Sequence, residues 1–221
     1  RDRYWAGEHN RGDQDNLLIG LDYSWRIKPG VRIYQTLLLD EVTWVKILKP
    51  WWGNKFVFQS GLHWVPSANP IIPDFRFEYT ISRPWVYTHK DTTNTFSSMD
   101  IGLGFPYGPS ARVLRIATNL FPTARILING TVDIVNKGTG IGSSVFHNYA
   151  FRDSALDNNT PVLLAPVNNK TVITLSIKYD LSRYIKLHSD LIYGSNDGNQ
   201  IRIGIISVSY THLRAHETLR Y

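Results

Sequence analysis

Cysteine is absent from this chain, which removes disulfides and thiolate metal sites and is compatible with either an oxidising or a reducing compartment. Long apolar runs are missing as well. Nothing approaches the ~20 apolar residues of a spanning helix, so any insertion into a membrane has to use strands. No signal peptide is visible, there is no starting methionine and Met99 is the only methionine, so the chain reads as part of a longer protein whose targeting segment lies upstream. Charge is scarce at 19% of residues, while aromatics reach 13%. Membrane interfaces reward that balance.

What is present is alternation. In Asp74–His89, Phe75, Phe77, Tyr79 and Ile81 fall on one side of an extended chain and Arg76, Glu78, Thr80 and Ser82 on the other. In a soluble sandwich the polar face of such a strand meets water; in an outer-membrane barrel the apolar face meets lipid and the polar face lines the lumen. The same pattern predicts strands over Leu17–Ile27, Val31–Asp40, Lys55–Val65, the first residues of Asp74–His89, Ala111–Leu120, Ala124–Val135, Lys170–Leu181, Tyr184–Tyr193 and Gln200–Ser207. Many are close to the 9–11 residues that a tilted strand needs to cross a bilayer. The polar start, Arg1–Asp15, reads as a loop, and its Arg11-Gly12-Asp13 as a chance tripeptide.

The connections alternate too. Tight ones fall at Lys28-Pro29-Gly30, Phe121-Pro122-Thr123 and Ser182-Arg183, and long ones at Glu41–Gly53, Pro84–Ser110 and Asn136–Asn169. The proline-rich link at Pro66 joins the short set and Gly194–Asn199 the long set, which is the parity of an antiparallel meander with short turns on one side and recognition loops on the other. Trp25, Trp64, Phe75, Phe121 and Tyr179 lie near the short-turn ends, and Phe56, Trp85, Tyr87 and Tyr193 near the long-loop ends. Two aromatic rows suit two lipid interfaces; the alternative is cross-strand pairing in a soluble β protein. The expected fold is all-β, an antiparallel up-and-down transmembrane β-barrel of which about nine strands are legible, left as an open curved sheet with two unpaired edges.

Several stretches resemble the Wzi capsule-assembly family of Gram-negative outer-membrane proteins and its Bacteroidota-like relatives. They are Asp15-Asn16-Leu17 with Gly20 and Asp22–Trp25, the Leu39-Asp40-Glu41 strand end, Phe75–Tyr79 with Arg83-Pro84 and Tyr87-Thr88-His89, and Leu103-Gly104 with Tyr107-Gly108-Pro109. The resemblance implies a large barrel with a helical plug, missing here, that holds capsular polysaccharide at the cell surface and carries out no known chemistry.

Inward positions carry Arg26, Arg32, Lys55, Arg76, Arg115, Arg125, Lys178, Lys186 and Arg202 against Asp22, Asp40, Glu78, Asp133, Asp180 and Asp190. That excess makes a mildly positive lumen which would attract acidic glycans or other anions. The plainer reading is that cross-strand pairs neutralise the interior, as burial of charge requires. Arg83, Trp85, Tyr87 and His89 leave the strand where it meets the outer loop, a planar donor beside aromatic faces and hence a candidate glycan contact; the alternative is an aromatic girdle with a loop-anchoring arginine. His9, His63, His147 and His188 lack metal spacing, and Ser143, Ser144 and His147 lack an acid and an oxyanion site. No cofactor is expected. Basic residues are spread over the strands rather than clustered, which argues against nucleic acid.

The sequence therefore predicts a non-enzymatic bacterial outer-membrane barrel in contact with lipid and with capsular or other surface polysaccharide; a porin or solute-uptake channel is the alternative. Residues Val208–Thr218 resemble a translated sequencing adapter, so the domain is taken as 1–207 and 208–221 as a non-native tail.

Overall fold

The computed structural model describes residues 17–207 apart from 42–43, 47–48, 70, 183–184 and 195–197. The start of the chain, with His9 and Arg11-Gly12-Asp13, and the tail from Val208 lie outside the described residues. Nine strands form one antiparallel sheet: β1 (Ile19–Lys28), β2 (Val31–Glu41), β3 (Lys55–Trp64), β4 (Asp74–Ser82), β7 (Ala111–Thr123), β8 (Ile126–Gly138), β9 (Val167–Asp180), β10 (Ile185–Gly194) and β11 (Gly198–Ser207). Between β4 and β7 lies a separate small hairpin, β5 (Ser97–Ser98) and β6 (Ile101–Gly102). Spatial order follows chain order, and each strand pairs antiparallel with its sequence neighbours in the sheet. Among the described residues β1 pairs only with β2 and β11 only with β10, so the sheet is not closed.

Every predicted strand is present, with revised ends. β8 and β9 run on into the predicted loop, pairing Asn136 with Asn169 and Gly138 with Val167. Phe121, Pro122 and Thr123 stay in β7, past a register shift, and the turn falls on Ala124 and Arg125. Arg125, expected on an inward strand position, is therefore a turn residue. The β5–β6 hairpin had no signal in the sequence. Its turn places Met99 and Asp100 at φ of 50° and 61°, the left-handed pair of a tight hairpin normally supplied by Asn-Gly or Asp-Gly.

On the central strands the apolar face is the more exposed of the two. Leu62, Phe77, Ile116, Ile134 and Ile173 alternate outward and stay 37–44% exposed, whereas Thr80 and Ser82 on the other face are 3% and 0% exposed. Phe56, Phe75 and Ile126 belong to the outward face and none is buried. The inner face is covered at the long-connection end. There Val57 packs with Val86, Tyr87 and Val145, and Leu38, Phe96 and Phe105 pack against that cluster. The core is thus small and lies between the wall and its own loops.

Gly61 shows how the inner face is assembled. A Cβ on it would lie 2.2 Å from the Tyr34 ring. The missing side chain lets the Tyr34 ring lie across β3 and its hydroxyl donate to Glu78 on β4.

Candidate functional site

The segment after β4 turns inward instead of projecting. Arg83, Trp85, Tyr87 and His89 are all buried, although Trp85 contributes to the lining of a cleft among the long connections. Trp85 and Tyr87 also leave the expected outer aromatic row, which the structure corrects to exclude them; Tyr193 remains exposed at that end. The loop-anchoring alternative describes their contacts. Arg83 donates from Nη1 to Thr160 O (3.1 Å), from Nη2 to Trp51 O (3.0 Å) and from Nε to Asn54 O (3.4 Å). Among the described residues it has no carboxylate partner, and burial alone presses its pKa below the ordinary guanidinium value. Three carbonyls from two different connections therefore converge on one cation.

Tyr87 fixes the next turn. Its N–H donates to Asp40 Oδ2 (2.6 Å), its hydroxyl oxygen accepts from Phe105 N–H (3.1 Å), and its ring stacks on Phe96. Trp85 and Tyr87 hold φ of 66° and 70°, a conformation that non-glycine residues keep only where surrounding contacts over-determine it. Gly142 abuts Trp85: at φ 106° its Cβ would lie 2.5 Å from the indole, and its carbonyl accepts from Trp85 N–H.

Above this anchor the long connections leave a cleft of about 500 Å³ between the turn at Trp52 and residues 140–165. Its two sides are joined by Trp52 N–H to Asp157 O (3.0 Å) and Thr160 N–H to Pro50 O (2.7 Å). On its wall Arg152 lies 4.1 Å over the Trp52 ring and forks onto Asp157 at 2.9 and 3.1 Å. Tyr149 packs on Trp52, and the Lys55 ammonium sits 4.5 Å from the Tyr149 ring. Lys55 is fully buried and pairs with Glu41 at 2.9 Å. It was expected at an inward, lumen-lining position and lies inward, beneath the loops.

Further down, the inner face carries a polar row along one register line. Glu78 pairs with Arg115 and Arg115 with Asp133 on adjacent strands. Arg115 forks onto Asp133 at 2.7 Å twice, and Tyr107 from the covering loop donates to the same carboxylate at 2.7 Å. Arg115 and Asp133 thus pair across strands, whereas of the expected Arg76 and Glu78 network Glu78 accepts from Tyr34 and the buried Arg76 Nε has no hydrogen-bond partner among the described residues. Arg32 lies 5.4 Å over Tyr34, and Arg76 stands between His63 and Ala117 in register. Arg26, Arg32, Lys178 and Lys186 are exposed. Lys186 faces Asp180 at 3.6 Å. Arg202 is opposite Asp190 in register, its side chain being outside what is described. Among the described residues no group of three His, Cys, Asp or Glu could hold a metal; His63 pairs with Asp74 and His188 with Asp190, and His147 accepts from Gly142 N–H.

Sequence reasoning missed the cleft residues Phe151, Arg152, Asp153 and Asp157. The available signal was the Trp51-Trp52 pair, whose rings could only be placed at an interface or in the lumen. The Arg152–Asp157 spacing gives no clue to its stacking on a tryptophan a hundred residues earlier. Compared with known proteins, the chain matches no family model and no curated protein.

Proposed function

We propose that this chain is the wall of a bacterial outer-membrane β-barrel that binds surface polysaccharide, capsular material being the expected class, and performs no chemistry. One observation supports the reading most: the sheet leaves its apolar face open across successive strands while its polar face is hydrogen-bonded and, at one end, covered. Apolar patches of this extent are unfavourable in water and are what lipid solvates. Strands of 9–14 residues have the length to cross.

Binding is favoured over free passage because the long connections fold onto the inner face and are fastened there by Arg83 and Tyr87. A solute channel would keep that space open. The experiment is done on cells carrying the intact protein: antibody labelling of the 139–166 connection at Asn148, and retained polysaccharide with and without the gene. Labelled loops and polysaccharide lost on deletion are the expected result. Unchanged polysaccharide with altered solute uptake would replace this reading with the channel, and unlabelled loops would reverse the orientation.

A further inference from the structure

We propose that the cleft beside Trp52 is a subsite for an uncharged pyranose unit, read by Arg152 and Asp153 with Phe151 as the platform for its C–H face. The inference rests on the polysaccharide reading above and narrows it, since the basic excess on the inward strand positions had pointed to acidic glycans.

The cleft has the size of a small-molecule site, and its polar groups are set in advance. Asp157 and the Trp52 ring fix the Arg152 guanidinium, so little side-chain freedom remains to be lost on binding. Three of its five N–H groups go to Asp157 and to Tyr149 O, which leaves two donors for hydroxyls. Asp153 caps the turn Ser154–Leu156 through one oxygen, 3.0 Å from Ala155 N, and its exposed carboxylate supplies the acceptor. Phe151 lines the same cleft and is 76% exposed, a large apolar ring left in water at the edge of a polar pair. Pyranoses present an apolar face and a hydroxyl rim, which is this combination.

Charge decides between sugar classes. Arg152 is neutralised by Asp157 and the Arg83 cation is buried behind the wall on three carbonyls, so the charge a ligand meets in the cleft is that of the exposed Asp153 carboxylate, which has no cation partner among the described residues. A uronate would meet repulsion there, whereas an uncharged ring would not.

The test uses the intact protein in detergent micelles, titrated by tryptophan fluorescence with neutral tetrasaccharides of glucose, galactose, mannose and N-acetylglucosamine, and with tetragalacturonate. At least one neutral tetrasaccharide should bind, with little dependence on salt. Phe151→Ala should weaken it about tenfold without moving the thermal transition, because that ring supports nothing beneath it. Asp153→Asn, which keeps a capping side chain, should improve tetragalacturonate binding. Binding of tetragalacturonate alone, binding of no neutral probe, or equal binding by Phe151→Ala would overturn the subsite. If polysaccharide is still lost on gene deletion, that failure concerns the subsite only; unchanged polysaccharide concerns the function itself.

Discussion

Replacing Arg83 with methionine removes the cation that joins the two walls of the cleft while keeping most of the side-chain volume. Two of its bonds, to Trp51 O at 3.0 Å and Thr160 O at 3.1 Å, are short enough to count fully, and the one to Asn54 O at 3.4 Å contributes little. Hydrogen bonds to a charged group are worth about 1.5–3 kcal/mol each. Part of that is offset because methionine is cheaper to bury than an arginine without a carboxylate partner, so the net loss should be about 2–4 kcal/mol. The loss should be local, because the Arg83 side chain bonds to connections rather than to strands. Hydrogen exchange reads it directly at Trp52 N–H and Thr160 N–H, which bridge the connections. At 1.4 kcal/mol per tenfold, both should exchange roughly 30- to 700-fold faster, while amides in the middle of β8 and β9 stay protected. Unchanged exchange at those two amides, or equal acceleration throughout the sheet, would refute the anchoring role.

Gly61→Val should drive the new side chain into the Tyr34 ring and cost about 1–3 kcal/mol, read as a lower urea midpoint in micelles; Tyr34→Ala in the same background should recover part of it. Asp133→Leu alone should destabilise by about 1–3 kcal/mol, because the half-exposed Arg115 loses its forked partner but regains water, and Arg115→Met added to it should restore most of the loss. Burial holds the Tyr87 phenol above its ordinary value of 10.0. The folded state therefore favours the protonated ring, and the stability this gives is intact below pH 10 and lost as pH rises through the shifted value. Tryptophan fluorescence should show that alkaline step in the native protein and lack it in Tyr87→Phe; superimposable curves would contradict it.

The wall was legible and the loops were not, for a physical reason. A strand such as Asp74–Ser82 writes its two faces into a period of two, and that period is set by its own residues whichever medium lies outside. Arg83–His89 obeys no period. Its burial depends on Asn54, Trp51 and Thr160, which come from distant connections, so four residues that look like a rim in sequence become an anchor in space. Lys55 lies inward as alternation required, but its roof of Tyr149 was hidden in the same way. The Glu78–Arg115–Asp133 row was accessible because register carries charges on adjacent strands to the same height. The cleft was hidden because its pieces, Trp52 and Arg152, share no local pattern.

The account depends on the outward apolar face meeting lipid. The absence of cysteine makes the measurement clean: nitroxide labels on single cysteines at Ile116, Ile134 and Ile173, compared with Thr80 and Ala117, in the protein reconstituted into bilayers. Power-saturation relaxation should show the first three accessible to oxygen and shielded from a water-soluble nickel complex, with Thr80 and Ala117 shielded from lipid-borne oxygen. Labels at Ile116, Ile134 and Ile173 relaxed mainly by the nickel complex would place that face in water and contradict the barrel wall.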